Sequence, residues 1–574
     1  MQQTLLSWAR RHAELLLLML ILVLLGAKKV WLSQHITEFG ADGGFFTNVA
    51  QNVRDGFGLS TNVSLFHKGY RTFPHPTSVY PLWPLVYGYL ARFVDIRVVG
   101  IWLPTALYFV TLVLAYLWAR RFWPGEVLAG IVPRLNAGHL LALMLGVNFE
   151  FFVSTSRPYT EGLAFALLFA ALLRAEMLLR RLAARDGIEL GLWLVGLLLV
   201  RSQFIIVVIA AGMALAWAAV DAPRRMRAVL VTVGATASFG AVFALYSRYL
   251  ATFIDDAGLL GYLRFDSARA ATALSQVPIY VSTTGPWAFL VDRLQGIGAA
   301  FGWGGASYFR SFNMFAYALP AALVVALVAM KRSSRADWLA AWSWLRTPEN
   351  LPRVFVGLLA LGGFASLHLV HKVYSSAWHF GLRQGLLAVF AIFLAQTFLL
   401  TRRQRFVFGV GVWLLAVASF GGFRLIHETT QEESLRDKGG ETLSTYRAEL
   451  VQWLGEQERG RAHGLTVAIT RPEAQRLAWR APGVNFHWLT ETTTLADLRY
   501  LIDELGVAYV ILVEGEIRPQ FASTPEFARD FEPVASPPQP PQVFEDIKPV
   551  SIYRQRADAV TAVPPVPGGA APGG

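Results

Sequence analysis

The chain has 574 residues, 54% of them hydrophobic and 16% charged, with a mean hydropathy of +0.43, which excludes an ordinary soluble domain and reads as a polytopic membrane protein. Its 51 Lys and Arg against 39 Asp and Glu give a net charge of +12, but the basic residues sit in short clusters between apolar runs, a topology signal rather than a nucleic-acid surface. The absence of cysteine excludes a disulfide framework, a thiolate metal site and a thiol nucleophile.

In chain order, Glu14 to Leu32 is the first apolar segment long enough to span a bilayer. Arg10 and Arg11 precede it and no small-residue cleavage site follows, so it is expected to be a retained anchor with a cytoplasmic N-terminus. Lys28 and Lys29, near its outer end, read as interfacial anchors whose stems snorkel to the headgroups, or else as contacts to a lipid phosphate. Residues 35–97 are too polar to span and are expected outside the membrane. Within them Asn48, Gln51, Asn52, Arg54 and Asp55 alternate with Phe45, Phe46, Val49, Val53 and Phe57 at helical spacing. That spacing predicts an amphipathic helix on the membrane surface, ending near Gly56 and Gly58. The Pro-interrupted stretch Tyr80 to Phe93 is too short to cross and is expected to lie in the interface or to re-enter.

Further spans are expected over 98–119, 136–153, 159–179, 188–201, 203–221, 228–250, 310–330, 354–370, 381–400 and 406–424, which with the first makes about eleven. Arg120 with Arg121, Arg180 with Arg181 and Arg185, Arg224 with Arg225 and Arg227, Lys331 with Arg332 and Arg335, and Arg402 with Arg403 and Arg405 fall at every second connection and mark the cytoplasmic side. Residues 35–97, 154–158, 251–309, 371–380 and everything after 425 are then outside.

Beyond 425 the composition changes. Leu443 to Gln457 and Leu495 to Leu505 read as amphipathic helices, and Leu465 to Ile469 and Val507 to Val513 as strands. The expected fold class is therefore an all-α membrane domain over 1–425 followed by a small α/β extracytoplasmic domain over 426–557. The Pro- and Gly-rich tail 558–574 cannot bury enough surface to fold.

No Walker loop, dinucleotide fingerprint, HExxH or GxSxG is present, so the chemistry is sought in acids and bases at the outer face. Asp42 follows the first span and precedes Gly43 and Gly44, which allow close approach of backbone or ligand; it reads as a catalytic acid/base, as a helix cap, or as a partner of Lys68 or Arg71. Glu161 stands at the outer mouth of the fourth span, where it would serve a site or complement the helix dipole while bonded to Arg157. Arg201 lies in an outer hairpin, and Lys372, Tyr374, His379 and Arg383 crowd the last outer loop; Arg201 and Arg383 read either as interfacial anchors or as partners of a buried anion. His75, His371 and His379 show no spacing diagnostic of zinc.

Several stretches together resemble the C-type glycosyltransferases that use polyprenyl-phosphate sugars, among them the protein O-mannosyltransferases and the lipid A aminoarabinose transferases. They are EFGADGGFFTNVAQNVRDGFG after the first span, YPLWPL, LPTALYFVTLVLAYLWARRFWPG, TEGLAFALLFAALL and the Arg after LVGLLLV, and they cover roughly 14–425. The resemblance implies a lipid-linked sugar donor and transfer at the outer face to an envelope glycolipid, polysaccharide or protein. It gives Asp42 the role of the loop acid that activates the acceptor, Glu161 that of the second acid and Arg383 a basic position in the last loop. Where relatives carry two adjacent acids this chain has the single Glu161, and where they carry Pro-Pro it has Tyr80-Pro81. No cofactor is implied as a requirement; a divalent cation, Mg or Mn, would draw on Asp42 and Glu161, with His75 beside Glu161 as a sugar or metal contact.

Cleaving a sugar phosphate develops oxocarbenium-like charge on the sugar and negative charge on the phosphate, which Arg383, Lys372 or Arg201 would stabilise. Asp42 would accept the acceptor's proton, attack from the opposite face would invert the anomeric centre, and Phe45, Phe46, Arg71, Tyr80 and Trp83 would line the headgroup site. The expected setting is a bacterial cytoplasmic membrane. A secondary transporter or lipid flippase is the alternative class, because it too needs many spans and interior charges.

Overall fold

The computed structural model describes residues 2–36, 39–65, 74–77, 81–122, 136–201, 204–251, 334–365, 447–459, 464–490, 493–513, 519–534 and 550–556. Lys68, Arg71, Tyr80, His371, Lys372, Tyr374, His379, Arg383, the spans expected over 310–330, 381–400 and 406–424, and the tail lie outside the described residues.

In chain order the elements are α1 (Gln2–Gln34), α2 (Gly40–Arg54), the short strands β1 (Ser60–Thr61), β2 (Val63–Leu65) and β3 (His75–Pro76), α3 (Leu82–Leu90), α4 (Ile96–Phe122), α5 (Ala137–Gly146), α6 (Phe149–Ser154), α7 (Glu161–Arg181), α8 (Ala184–Val200), α9 (Ile205–Val220), α10 (Ala222–Ala251), α11 (Arg335–Arg346) and α12 (Leu351–Ala365). A helix over 447–458, α13, is followed by β4 (Leu465–Thr470), α14 (Arg471–Ala478), β5 (Val484–Leu489), α15 (Leu495–Leu505), β6 (Tyr509–Val513), α16 (Pro525–Asp530), β7 (Phe531–Pro533) and β8 (Val550–Gln555). The chain divides into two compact units: Met1–His35, Ser78–Trp83 and Gly100–Glu433 form the first, and Ile36–Thr77, Pro84–Val99 and Ser434–Gly574 the second. The sequence reading kept 35–97 with the membrane domain, whereas most of that segment belongs here with the C-terminal sheet.

Among the described residues four helices are long and apolar enough to cross a bilayer: His12–Gln34, Ile96–Phe122, Glu161–Arg181 and Arg224–Tyr249. The expected spans at 188–201 and 203–221 are α8 and α9, apolar helices of 17 and 16 residues. The expected span 136–153 is instead broken into α5 and α6. Asn148 starts the second piece by accepting from the Phe151 amide at 3.0 Å, and the Tyr108 hydroxyl donates to the Gly146 carbonyl at 2.8 Å, so local capping replaces the helical bonds lost at the break. Small residues bring α8 against α10: a side chain on Gly187 would meet the Val231 carbonyl at 2.3 Å, and one on Gly191 the Ala235 carbonyl at 2.3 Å. At the ends of the helices carrying the basic clusters, Arg120 pairs with Glu14 at 2.7 Å, Arg180 with Glu176 at 2.8 Å, and Arg181 with Asp186.

The second unit holds a six-stranded sheet in the order β2-β5-β4-β6-β8-β7. Strands β2, β5, β4 and β6 run parallel, and β8 and β7 close the sheet antiparallel. The parallel strands β4 and β5 are almost wholly buried, as expected for strands covered on both faces, so in VNFHWL even the alternating polar residues Asn485 and His487 lie inside. Val63 of β2 lies opposite Phe486, so the loop after α2 supplies an edge strand. The predicted helix Leu495 to Leu505 is α15, capped by the Thr494 side chain and ended by Gly506 at φ +68°.

Helix α2 forms as the pattern requires and stops before Gly56 and Gly58, at φ +91° and +69°. Its polar stripe, however, faces protein rather than water. Asn48, Gln51 and Asn52 are buried. The Asn48 amide donates to the Ala478 carbonyl at 3.2 Å, Gln51 to the Trp479 carbonyl at 2.7 Å, and Asn52 to Asn62 Oδ1 at 3.0 Å. Helix α14 leaves its last carbonyls without intrahelical donors, and the amides of α2 fill that need.

Candidate functional site

Glu161 opens α7 and Arg201 ends α8. Helices α7 and α8 follow one another through a short turn, so the start of one comes beside the end of the other. Arg201 leaves the helix in extended backbone, φ −155° and ψ 124°, and its Nη1 donates to Glu161 Oε1 at 2.5 Å. Glu161 is buried and Arg201 partly so, with side-chain exposures of 2% and 13%. Glu161 also sits where the α7 dipole favours an anion. Arg201, 40 residues away, is thus a partner of Glu161 that the sequence, which offered Arg157, did not name.

Lys29 corrects the anchor reading. It is 0% exposed, and its Nζ donates to the Phe152 carbonyl at 2.6 Å, Thr155 Oγ1 at 2.9 Å and Ser156 Oγ at 2.5 Å. The rings of Tyr108 and Phe152 lie 5.0 and 5.1 Å away. A snorkelling stem needs none of these contacts; the hydroxyl run Ser154-Thr155-Ser156 beside Arg157, at an expected span boundary, was the signal that could have revealed the site. Trp83 is also repositioned. It is 0% exposed and its indole donates to the Pro158 carbonyl at 2.9 Å, making it a strut under the same turn rather than a wall of a headgroup site.

The remaining expected site residues fall in the second unit. Asp42 lies exposed in the first turn of α2, and among the described residues it has no ion-pair or hydrogen-bond partner. Gly44 does permit a close approach, but to the protein's own Gln475 carbonyl, which a side chain there would meet at 2.3 Å. Phe45 is half-buried and stands edge-on to Phe46 at 5.8 Å. His75 is buried in β3 with its Nε2 2.8 Å from the Val63 carbonyl, a role in holding β2 that leaves the sugar or metal reading without geometric support. Asp42 and Glu161, the acids considered for a cation, belong to different units, and among the described residues no group of three or more His, Asp or Glu could hold a metal ion.

No family model and no curated protein matches the sequence. Among solved structures, the chain is similar to the oligosaccharyltransferase of Archaeoglobus fulgidus, crystallised with an acceptor peptide containing the NVT sequon tethered through a disulfide bond. The TM-score is 0.52 at 10% identity, over 88% of this chain and 70% of that one. The chain has a GT-C-like fold. Within it the Glu161–Arg201 pair and the Lys29 cradle lie at the ends of α1, α7 and α8 opposite those bearing Glu14, Arg181 and Asp186. The GT-C-like chain thus concentrates its arginine–carboxylate anchors at one end of these helices and a buried pair with a buried lysine at the other.

Proposed function

We propose that this protein is a membrane glycosyltransferase that moves a sugar from a polyprenyl-phosphate donor to an envelope glycolipid, polysaccharide or protein at the outer face of a bacterial cytoplasmic membrane. The observation that carries the reading is the buried Glu161–Arg201 pair on a GT-C-like fold. Buried charge among apolar helices is costly and is retained where it serves a site.

In this reading Arg201 stabilises the departing phosphate while oriented by Glu161, and a guanidinium with five N–H donors can contact both carboxylate and phosphate. Glu161 directs its remaining acceptor capacity to sugar hydroxyls. Asp42, exposed at the head of α2, takes the proton of an acceptor hydroxyl, or orients an amine or amide. Arg383 and Lys372 add to the phosphate subsite. Attack from the face opposite the phosphate inverts the anomeric carbon without a covalent enzyme intermediate. The acceptor peptide of the archaeal structure makes a protein acceptor one arm of the test.

The experiment is sugar transfer in liposomes reconstituted with the full chain, using radiolabelled polyprenyl-phosphate sugars and each acceptor class, with wild type and Asp42→Asn at matched folded amounts. Transfer by wild type and a loss on the order of 100-fold in the variant supports the reading and the role of Asp42. Equal transfer by both removes Asp42 from the site and keeps the enzyme class. Movement of lipid or solute without transfer from any donor would replace the enzyme by a transporter.

A further inference from the structure

Lys29 is a buried amine enclosed by oxygen atoms of one turn. Thr155 Oγ1 donates its own proton to the Phe151 carbonyl at 2.5 Å and Ser156 Oγ donates to the Phe152 carbonyl at 3.2 Å. Those two hydroxyl oxygens and the Phe152 carbonyl oxygen all lie within hydrogen-bond distance of the Lys29 nitrogen, so one amine ties three groups at the end of α6. Among the described residues no carboxylate pairs with this amine. Desolvating it costs several kcal/mol that an apolar side chain of similar length would avoid, so its use must lie in what it holds.

What it holds is the turn leading to Glu161. Helix α6 ends at Ser154, and the chain then turns through Thr155–Thr160 before α7 begins. Lys29 fixes the entry of the turn, and the Trp83 indole fixes its middle at the Pro158 carbonyl, 2.9 Å away. Ser156 and Glu161 are five positions apart, so a shift of the entry is passed along a short, twice-pinned segment to the carboxylate that meets Arg201. We propose that Lys29 is a positioning residue: through Thr155 and Ser156 it sets the height of Glu161, and so the orientation of the Glu161–Arg201 pair. The role in catalysis rests on the glycosyltransferase reading, whereas the role in the turn does not.

The chain has no cysteine, so a single reporter can be placed without background. The full protein carrying Tyr159→Cys with a nitroxide label, in lipid nanodiscs, is compared with the same protein bearing Lys29→Met, and separately bearing Thr155→Val with Ser156→Ala. The expected result is a label immobilised with Lys29 and its acceptors intact and mobile in both altered forms. An unchanged line shape in the variants overturns the proposal. If Lys29→Met fails to fold, the Thr155/Ser156 variant, which leaves the lysine in place, decides the same question.

Transfer kinetics then test the catalytic consequence. Lys29→Met is expected to lower kcat on the order of 100-fold with the donor KM within about threefold, because geometry rather than donor contact is lost. Combining it with Thr155→Val and Ser156→Ala should add little further loss, since residues acting through one another are not additive. A rise in donor KM with kcat preserved, or fully multiplicative losses, would make Lys29 act apart from the turn and overturn the proposal. Absence of transfer by wild type would sink the glycosyltransferase reading alone, leaving the label to decide the role of Lys29.

Discussion

The two units each bury a glutamate against arginine, and they do so differently. In the second unit Glu473 accepts from Arg447 at 2.6 and 3.3 Å and from Arg476 at 2.9 Å, two cations from two helices closing on one carboxylate. Burial, the largest influence, pushes its pKa up, but the charge and hydrogen bonds of Arg447, with those of Arg476, together hold it below the ordinary glutamate value. In the first unit Glu161 meets Arg201 at the ends of two apolar helices, near a turn pinned by a lysine. The Glu473 arrangement closes a fold around a carboxylate; the Glu161 arrangement sets a carboxylate and a cation at a helix mouth, where the proposed function has an anionic substrate group join them. A buried ion pair is thus no mark of function by itself, and its place among the elements decides what it does.

The comparison is broken most severely at Glu473. Glu473→Gln strands two arginines and is expected to cost about 3–5 kcal/mol, read as an earlier thermal unfolding transition, while transfer per folded molecule stays at the wild-type value. Loss of transfer at matched folded amount would tie the second pair to the site as well. Glu161→Gln should do the reverse, lowering kcat on the order of 100-fold in molecules that still fold. Transfer retained within about threefold would make the two pairs alike and both structural.

Acid separates the units next. Burial and the neighbouring His75 push His487 down to about 4. Its unfolded value is near 6.5, so between those values the unfolded chain binds the extra proton, and stability present above about 6.5 falls with pH down to about 4. Glu473, depressed in the fold, contributes stability that is present above its unfolded value and is lost only as pH falls further, through its folded pKa. The expected outcome is a second-unit transition that weakens between pH 6.5 and 4 and that His487→Phe renders flatter in that window. An unaltered slope would remove His487 as the cause.

Smaller effects sharpen the same contrast. Gly44→Ala drives a methyl group toward the Gln475 carbonyl and should cost about 1–3 kcal/mol in the second unit, measured by denaturant unfolding. Thr494→Ala removes the cap that accepts from the Asp497 amide at 3.2 Å and should cost about 1 kcal/mol. An equal or larger loss at Thr494 would show that the α2–α14 contact is loose.

Much of the architecture was written in local signals. Residue periodicity placed α15 over Leu495–Leu505, the apolar run Val507–Val513 was legible as a buried strand and forms one over Tyr509–Val513, and Gly56 and Gly58 marked the end of α2. Other features were hidden because their chemistry has no local signature. The polar stripe of α2 has the same spacing whether it meets water or the carbonyls of Ala478 and Trp479, some 430 positions on. Lys29 near the end of a span reads as an anchor until Thr155 and Ser156, more than 120 positions away, are brought to it.

The sequence by itself determined that this is a membrane protein with an α/β segment, and where most of the described helices begin and end. Those properties depend on burial tendency and capping within a few residues. Only the tertiary structure decided that Glu161 faces Arg201, that Lys29 is inside, and that β2 joins the C-terminal sheet. Each of these is a pairing of groups far apart in the chain, and a buried polar group is satisfied by whichever partner packing brings within hydrogen-bond distance.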